Sequence, residues 1–301
     1  MSILSKTILV TGATGLMGTY LFQELHSQSN TFFIGHSKTI PSKNFSSIDL
    51  TQENETFLLL NTIKPEIIIH TVALTNVDDC EENHLKAYLL NVQTTKNISK
   101  WINNKSPQTR LVYISTDQVY NGDGEHREEN ISPSNVYALT KLWAEDTALS
   151  IQRQLVLRTN FYALSNDENK SSFADWLIDS LLMKKPVTLF TDVLFNPLYI
   201  KDLIDIMLWL IENNINGVYN IGAKGDGVSK ADFALKLARI FGIKFTNTNQ
   251  GSVNNSTLKA FRPKDMRMST RKLQKIMSKP LPTIDEGLSK LHDDWKLLKG
   301  E

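Results

Sequence analysis

Through the first half of the chain, short β-branched or aromatic runs alternate with longer helical patterns. "TILVT" leads into an amphipathic stretch from Met17 to His26. "TFFIG", "EIIIHT", "RLVYIST" and "LVLRT" follow in turn, and between them lie helical segments such as "LKAYLLNVQTTKNISKWI" and "YALTKLWAEDTALSI". This alternation is the arrangement of βαβ units around a parallel sheet, so the expected fold class is α/β with a doubly wound sheet.

After Thr159 the pattern loosens. Asn, Ser and Lys crowd "LSNDENKSS", and helices then predominate in "FADWLIDSLLM", "DLIDIMLWLIEN" and "SKADFALKLARIFG", with one more strand, "GVYNIG", among them. The expected organisation is a first domain over residues 1–162, rejoined by about 198–222. A smaller, mostly helical and discontinuous lobe takes up 163–301. The chain has 301 residues, 41% of them hydrophobic and 22% charged, enough for one large core or two joined ones.

A formal charge of +1 without any block of like charges lacks the basic footprint of a nucleic-acid binder. No apolar run approaches the ~18 residues of a membrane-spanning helix. The N-terminal "MSILSKTILVTG" reads as a first strand rather than a signal peptide, and the Asn-x-Ser/Thr sequons such as that at Asn54 are chance matches without one. A cytoplasmic protein is expected. Cys80 is the single cysteine, so no internal disulfide forms, and its acidic surroundings in "VDDCEEN" raise rather than lower a thiol pKa. His70, His84 and His126 do not fall at metal-ligand spacing with carboxylates, so no metal is expected, and "DGEHREEN" reads as a solvated loop.

"TGATGLMG" puts Gly12, Gly15 and Gly18 at the turn from the first strand into the first helix. Glycine there permits positive φ and close approach of a pyrophosphate, and the helix start adds free N–H groups. The spacing is G-x-x-G-x-x-G, which by itself also fits a plain tight turn. The end of the second strand, where a dinucleotide's ribose is read, carries His36, Ser37 and Lys38 and no acid. That composition suits a 2′-phosphate, as in NADP; the other reading is a solvated loop. Asp49 in "SIDL", next to Leu50, either reads the adenine or caps a turn.

"YALTK" sets Tyr137 and Lys141 four apart, hence on one face of a helix. A cation beside a phenol lowers its pKa and lets it exchange a proton with a carbonyl or hydroxyl. About twenty residues earlier, "YISTDQVY" ends a strand with Ser115, Thr116, Asp117 and Gln118.

"TGATGLMG", "STDQVY" and "YALTK", in that order, resemble the extended short-chain dehydrogenase/reductases, and within them the dTDP-4-dehydrorhamnose reductase group. "HTVALTNVDDCE", "VLRTNFYA" and "RPKDMRMSTRKL" followed by "PLPTIDEGLSKL" are similar to further signatures of that group, so the likeness runs nearly end to end. The resemblance implies a Rossmann-type fold with a substrate-binding lobe, NADP(H) as the preferred cofactor with NAD(H) as the other choice, and a nucleotide-sugar substrate. A homodimer is a further expectation. It implies Thr116, Tyr137 and Lys141 as catalytic residues. Cofactor contacts would come from Gly12, Thr14, Gly15, Leu16, Met17, His36, Ser37, Lys38, Asp49, Leu50, Thr71, Val72, Ala73, Tyr137 and Lys141. Asn91 joins that set as a structural asparagine, its other reading being a helix-interior amide satisfied by backbone. Substrate contacts would come from Thr75, Val77, Gln118, Asn160, Phe161 and Arg262.

Related 4,6-dehydratases carry Glu where this chain has Gln118, and an amide cannot shuttle a proton at neutral pH. The resemblance therefore favours reduction of the 4-keto group of a nucleotide-activated 6-deoxy sugar, in surface polysaccharide synthesis. The chain departs from the reductase group at Gln118, Tyr120 and Ala138, where Tyr, Phe and Gly are usual. Alternatives are a sugar-nucleotide epimerase of the same superfamily, or a cofactor-binding regulatory subunit, since the methionine adenosyltransferase β-subunit resembles the same group. Phe161, Phe173, Trp176, Phe195 and Tyr199 either stack on substrate or pack the core.

Overall fold

A computed structural model of the chain describes residues 5–27, 30–35, 45–165, 172–244 and 246–300. Seven strands form one sheet: β1 (Ile8–Thr11), β2 (Thr31–Gly35), β3 (Phe45–Ser47), β4 (Ile67–His70), β5 (Arg110–Thr116), β6 (Gln154–Thr159) and β7 (Gly217–Ile221). Their order is β7-β6-β5-β4-β1-β2-β3. β1 pairs in parallel with both β2 and β4, with Ile8 opposite Thr31 on one side and Ile67 on the other. β2–β3 and β4–β5 are parallel as well. The strand order reverses between β1 and β4, and the loops that leave them part at the carboxyl ends, where open α/β sheets bind ligands.

The strands form here because their apolar runs are continuous. β1, β4 and β5 are buried at every position, as a parallel sheet covered on both faces requires. The covering helices are α1 (Leu16–Leu25), α2 (Glu53–Ile63), α3 (Val77–Glu82), α4 (His84–Tyr88), α5 (Thr94–Lys105) and α6 (Val136–Leu149), with a π-turn at Leu89–Gln93 between α4 and α5. Leu9, Ile68, Leu111 and Val156 of the strands pack with Leu59 and Leu60 of α2, Ile98, Trp101 and Ile102 of α5, and Ala144 and Ala148 of α6. Each of the larger side chains contributes about 1.5–3 kcal/mol on burial. Helix α6 starts at Asn135, whose Oδ1 accepts the Ala138 N–H at 2.8 Å, so the helix that carries Tyr137 and Lys141 begins at a fixed residue.

The chain divides into two compact units. The first holds residues 1–119, 135–158 and 204–219, and the second holds 120–134, 159–203 and 220–301. Helix α7 (Phe173–Leu182) of the second unit begins with a capping box of Ser172 and Asp175. Most of α8 (Ile200–Glu212) belongs to the first unit, whereas α9 (Lys230–Ile240), α10 (Arg271–Ile276) and α11 (Ile284–Lys299) belong to the second. Short strand pairs join them. Val187–Phe190 runs parallel to Thr248–Gly251, Leu194–Phe195 antiparallel to Val228–Ser229, and Phe161–Tyr162 parallel to Leu198–Tyr199.

The "DGEHREEN" segment is exposed over most of its length, as its charge suggests, but its middle is anchored within the second unit. His126 is buried, stacks on Tyr120 with ring centroids 5.2 Å apart, and bonds the Asp265 carbonyl at 3.0 Å. The Tyr120 hydroxyl donates to Asn220 Oδ1 at 2.7 Å. Among the described residues, no helix is long and apolar enough to cross a membrane.

Candidate active site

The turn after β1 is built for close approach. Gly12 has φ +70°, a conformation that favours glycine, and a Cβ there would lie 2.6 Å from Thr71 Oγ1. A Cβ on Gly18 would overlap the Gly12 carbonyl oxygen and come within 2.5 Å of Ala13 Cα, so α1 rests directly on the turn. Gly15, the N-cap of α1, supplies no side-chain cap, which leaves the first N–H groups of the helix without a side-chain acceptor. A glycine cradle ending in N–H groups without a side-chain cap fits a pyrophosphate. Thr14 and Leu16 are half-buried beside it, and Met17 is buried.

Thr71, at the carboxyl end of β4, donates its hydroxyl to the Thr11 carbonyl at 2.7 Å and so ties the two loops of the switch point together. Val72 is buried and Ala73 half-buried. Asn91 lies in the π-turn, a feature frequent at functional sites. Its Oδ1 accepts the Leu74 N–H at 2.7 Å, and its Nδ2 donates to Leu74 O and to Thr140 Oγ1. The amide thus joins the β4 loop to α6 and is fully engaged in holding them. Asp49 caps a turn, its Oδ1 accepting both the N–H and the hydroxyl of Thr51. Leu50 is part of the core, with its carbonyl accepting from Asn97. His36, Ser37 and Lys38 lie outside the described residues.

Thr116, Tyr137 and Lys141 come together in the first unit, and all three are buried. Thr116 closes β5 and accepts the Gln118 N–H on its hydroxyl at 3.2 Å. Lys141 Nζ donates to the Ile114 carbonyl of the same strand at 2.6 Å and lies 4.2 Å from the centre of the Tyr113 ring. The expectation that Lys141 brings the phenol down is not met in the ligand-free protein. Burial dominates and pushes the Tyr137 phenol well above its ordinary 10, while a hydrogen bond with Thr116 opposes the rise. Burial also lowers Lys141 to about 7, against the attraction of Glu145. Gln118 is half-buried, and its Oε1 accepts from Asn135 Nδ2 at 3.1 Å, which binds it to the start of α6.

A buried layer behind this trio is absent from the sequence-derived candidates. Glu145 receives hydrogen bonds from Ser115 and from Arg158, whose Nη2 sits 2.6 Å from Oε2. A signal for it existed. Arg158 interrupts an otherwise apolar strand and therefore needs a buried acid, and Glu145 falls four residues after Lys141, on the same helix face.

His70, at the end of β4, bridges Thr11 Oγ1 at 2.7 Å and Thr94 Oγ1 at 3.2 Å. Burial first, and the Lys141 charge second, lower its pKa from 6.5 to about 3. The unfolded chain therefore binds a proton that the fold refuses between pH 6.5 and 3, so this contribution is present in full above 6.5 and disappears as pH falls through that window. Urea unfolding of His70→Asn should show a loss of stability between pH 6.5 and 4 smaller than wild type by about 1–2 kcal/mol. Parallel pH slopes in the two proteins would show that His70 is not the titrating group.

Cys80 is buried with its Sγ 3.3 Å from Leu74 O, and burial followed by the Asp79 charge lifts the thiol to about 11. Thr75 is exposed and Val77 buried at the start of α3. In the second unit, the Asn160 carbonyl accepts from Leu198 N and Phe161 lies in the neighbouring strand pair, while Arg262 Nη1 donates to Ala260 O at 2.9 Å. Of the five flagged aromatics, Phe195 and Tyr199 are core. Phe161 is half-buried, and Phe173 and Trp176 are exposed and stacked at 5.9 Å. Among the described residues, no group of three or more His, Cys, Asp or Glu side chains is placed to hold a metal.

The RmlD substrate binding domain family matches residues 6–296 of the chain. Agl14 of Haloferax volcanii, a probable low-salt glycan biosynthesis reductase, is 23% identical over 290 residues, covering 94% of this chain and 96% of that protein. Methionine adenosyltransferase 2 subunit beta of Xenopus laevis is 28% identical over 249 residues, 79% of this chain and 73% of that one. Among solved structures, dTDP-4-dehydrorhamnose reductase from Bacillus anthracis, in complex with NADP, has a TM-score of 0.85 at 24% identity, covering 98% of this chain and all of that one. At that identity the likeness is one of fold.

Proposed function

The chain belongs to the RmlD substrate binding domain family, and from that membership we propose that it is an NADP(H)-dependent oxidoreductase that reduces the 4-keto group of a nucleotide-activated 6-deoxy sugar. The observation that carries the reading is the buried trio. Tyr137 sits one helical turn from a lysine that is fixed on the strand that ends in Thr116, and all three side chains are buried. NADPH, when bound, would supply the hydride for the carbonyl carbon. Thr116 then hydrogen-bonds the carbonyl oxygen, and Tyr137 delivers a proton to it from its hydroxyl. A phenol whose pKa lies above 10 keeps that proton throughout the neutral range, as an acid in the reducing direction must. Lys141 would hold the nicotinamide ribose and offset the negative charge left on Tyr137 Oη.

The glycine cradle after β1 fits the pyrophosphate of such a cofactor, and the NADP in the Bacillus anthracis reductase supports NADP(H) over NAD(H). Gln118 supports reduction over dehydration, because its amide, bound to Asn135, has no proton to exchange. The likeness to the methionine adenosyltransferase subunit supports a second reading, a cofactor-binding regulatory subunit. The experiment that separates them is incubation with NADPH and a panel of 4-keto sugar nucleotides while the loss of reduced cofactor is followed. Oxidation with at least one sugar, faster than with NADH, is the expected result. Tight NADPH binding with no turnover on any sugar would leave the regulatory reading in place and remove ours.

A further inference from the structure

Lysine ammonium groups are costly to bury without a partner of opposite charge. Lys141 Nζ has one carbonyl, that of Ile114, and the face of the Tyr113 ring. The titratable groups around it come from several elements: Glu145 and Tyr137 on α6, Tyr113 on β5, His70 on β4 and Cys80 on α3, with Arg158 of β6 bound to Glu145. His70, with a pKa of about 3, and Cys80, with one of about 11, are both neutral near pH 7, and burial pushes both tyrosines upward, so they are neutral too. Of the two buried carboxylates around the trio, Asp117 in the turn after β5 acts on Tyr137, and Glu145 is the one that acts on Lys141.

Glu145 is wholly buried and stands one helical turn beyond Lys141 on the same face of α6. It accepts the Ser115 hydroxyl, next in β5 to Thr116, and the Arg158 Nε at 3.0 Å to Oε1 and 3.1 Å to Oε2. One carboxylate therefore fixes the strand that bears Thr116, the helix that bears Tyr137 and Lys141, and the neighbouring strand β6.

We propose that Glu145 is a positioning residue: from its buried bonds to Ser115 and Arg158 it keeps the Lys141 ammonium charged and the end of β5 in register with α6. Its consequence for turnover rests on the reductase reading, whereas its effect on Lys141 does not. With Glu145 neutral, Lys141 loses that carboxylate and faces an unopposed Arg158, so it gives up its proton at lower pH. An enzyme that needs Lys141 charged then loses activity on the basic side sooner.

The direct test is NMR titration of the full-length protein carrying ¹³Cε-lysine, with the Lys141 signal assigned by its loss in Lys141→Met. In Glu145→Gln, the Lys141 midpoint should fall by about one pH unit or more, and in Glu145→Asp it should stay within about 0.3 of wild type. Should a lone buried Arg158 prevent Glu145→Gln from folding, Glu145→Gln combined with Arg158→Gln is read against Arg158→Gln alone, the pair that differs only in the Glu145 charge. A Lys141 midpoint equal to wild type in Glu145→Gln, or equal to that of Arg158→Gln in the double variant, overturns the assignment. The second arm is the pH profile of kcat with NADPH and a 4-keto sugar nucleotide, whose basic limb should move down by the same amount in the Gln variant and return in Glu145→Asp. A purely structural role would lower kcat evenly across pH and leave that limb in place. If the wild-type protein reduces no sugar, the reductase reading fails while the NMR arm still decides the role of Glu145.

Discussion

Tyr137→Phe should lower kcat for ketone reduction by roughly 10²-fold or more, the scale of a lost general acid, while NADPH affinity changes by less than about threefold. The substitution removes one oxygen from a buried side chain and keeps the ring, so the packing of α6 against β5 is retained. What goes is the proton. Burial holds the Tyr137 hydroxyl above its ordinary pKa, so wild-type Tyr137 is protonated at every pH at which the protein is assayed. The Thr116 hydroxyl remains in the variant, in contact with Asp117 Oδ1 at 3.3 Å, but a threonine hydroxyl is far too weak an acid to take over. Steady-state kinetics with a fluorescence titration of NADPH separate the two quantities. Turnover equal to wild type would reject Tyr137 as the acid, and a large fall in NADPH affinity would assign it to binding instead.

The parts of this site legible in the sequence are those fixed by local geometry. A glycine turn between a strand and a helix is read from a dozen residues. Tyr137 and Lys141 share a face because 3.6 residues make a turn, whatever surrounds them. The parallel sheet was legible for a similar reason, since β4 with its "IIIH" and β1 with its "ILVT" have no polar face to turn outward. The illegible parts depend on contacts between distant segments. Burial reversed the expected direction of the Tyr137 shift, and no spacing rule measures how far a phenol lies from water. His126 in a charged stretch was placed by Asp265, far along the chain. The two-residue strands of the second unit have too few positions for an alternating pattern to register. That Asp49 caps a turn through Thr51 shows only in the folded contact, since an acid at that position suits an adenine equally well.

Gly18→Ala should destabilise the protein by about 3 kcal/mol and weaken NADPH binding at least ~10-fold, a large effect for a single methyl group. The reason is what that methyl would meet. In α1 an alanine is ordinarily preferred to glycine by about 1 kcal/mol, so propensity alone predicts a gain. Here the added carbon would overlap the carbonyl oxygen of Gly12 and lie 2.5 Å from Ala13 Cα and 2.8 Å from Ala13 C. All three are backbone atoms, with no rotamer to yield. Gly12 cannot easily retreat, because its φ of +70° is already the left-handed turn and the Thr71 hydroxyl fills the space beside it. Helix α1 must therefore move away from β1, and the N–H groups that follow Gly15 move with it. Gly15→Ala is the contrasting variant. Its nearest neighbour, the Gly12 carbonyl, would be 3.2 Å away, so the ligand-free stability should change by less than about 1 kcal/mol. Urea unfolding of the ligand-free proteins measures the backbone clash without any assumption about cofactor, and NADPH titration then measures its cost to binding. A Gly18→Ala protein as stable as wild type would mean that α1 does not rest on the turn. A destabilised variant that binds NADPH at full affinity would mean that the start of α1 is not where the pyrophosphate sits.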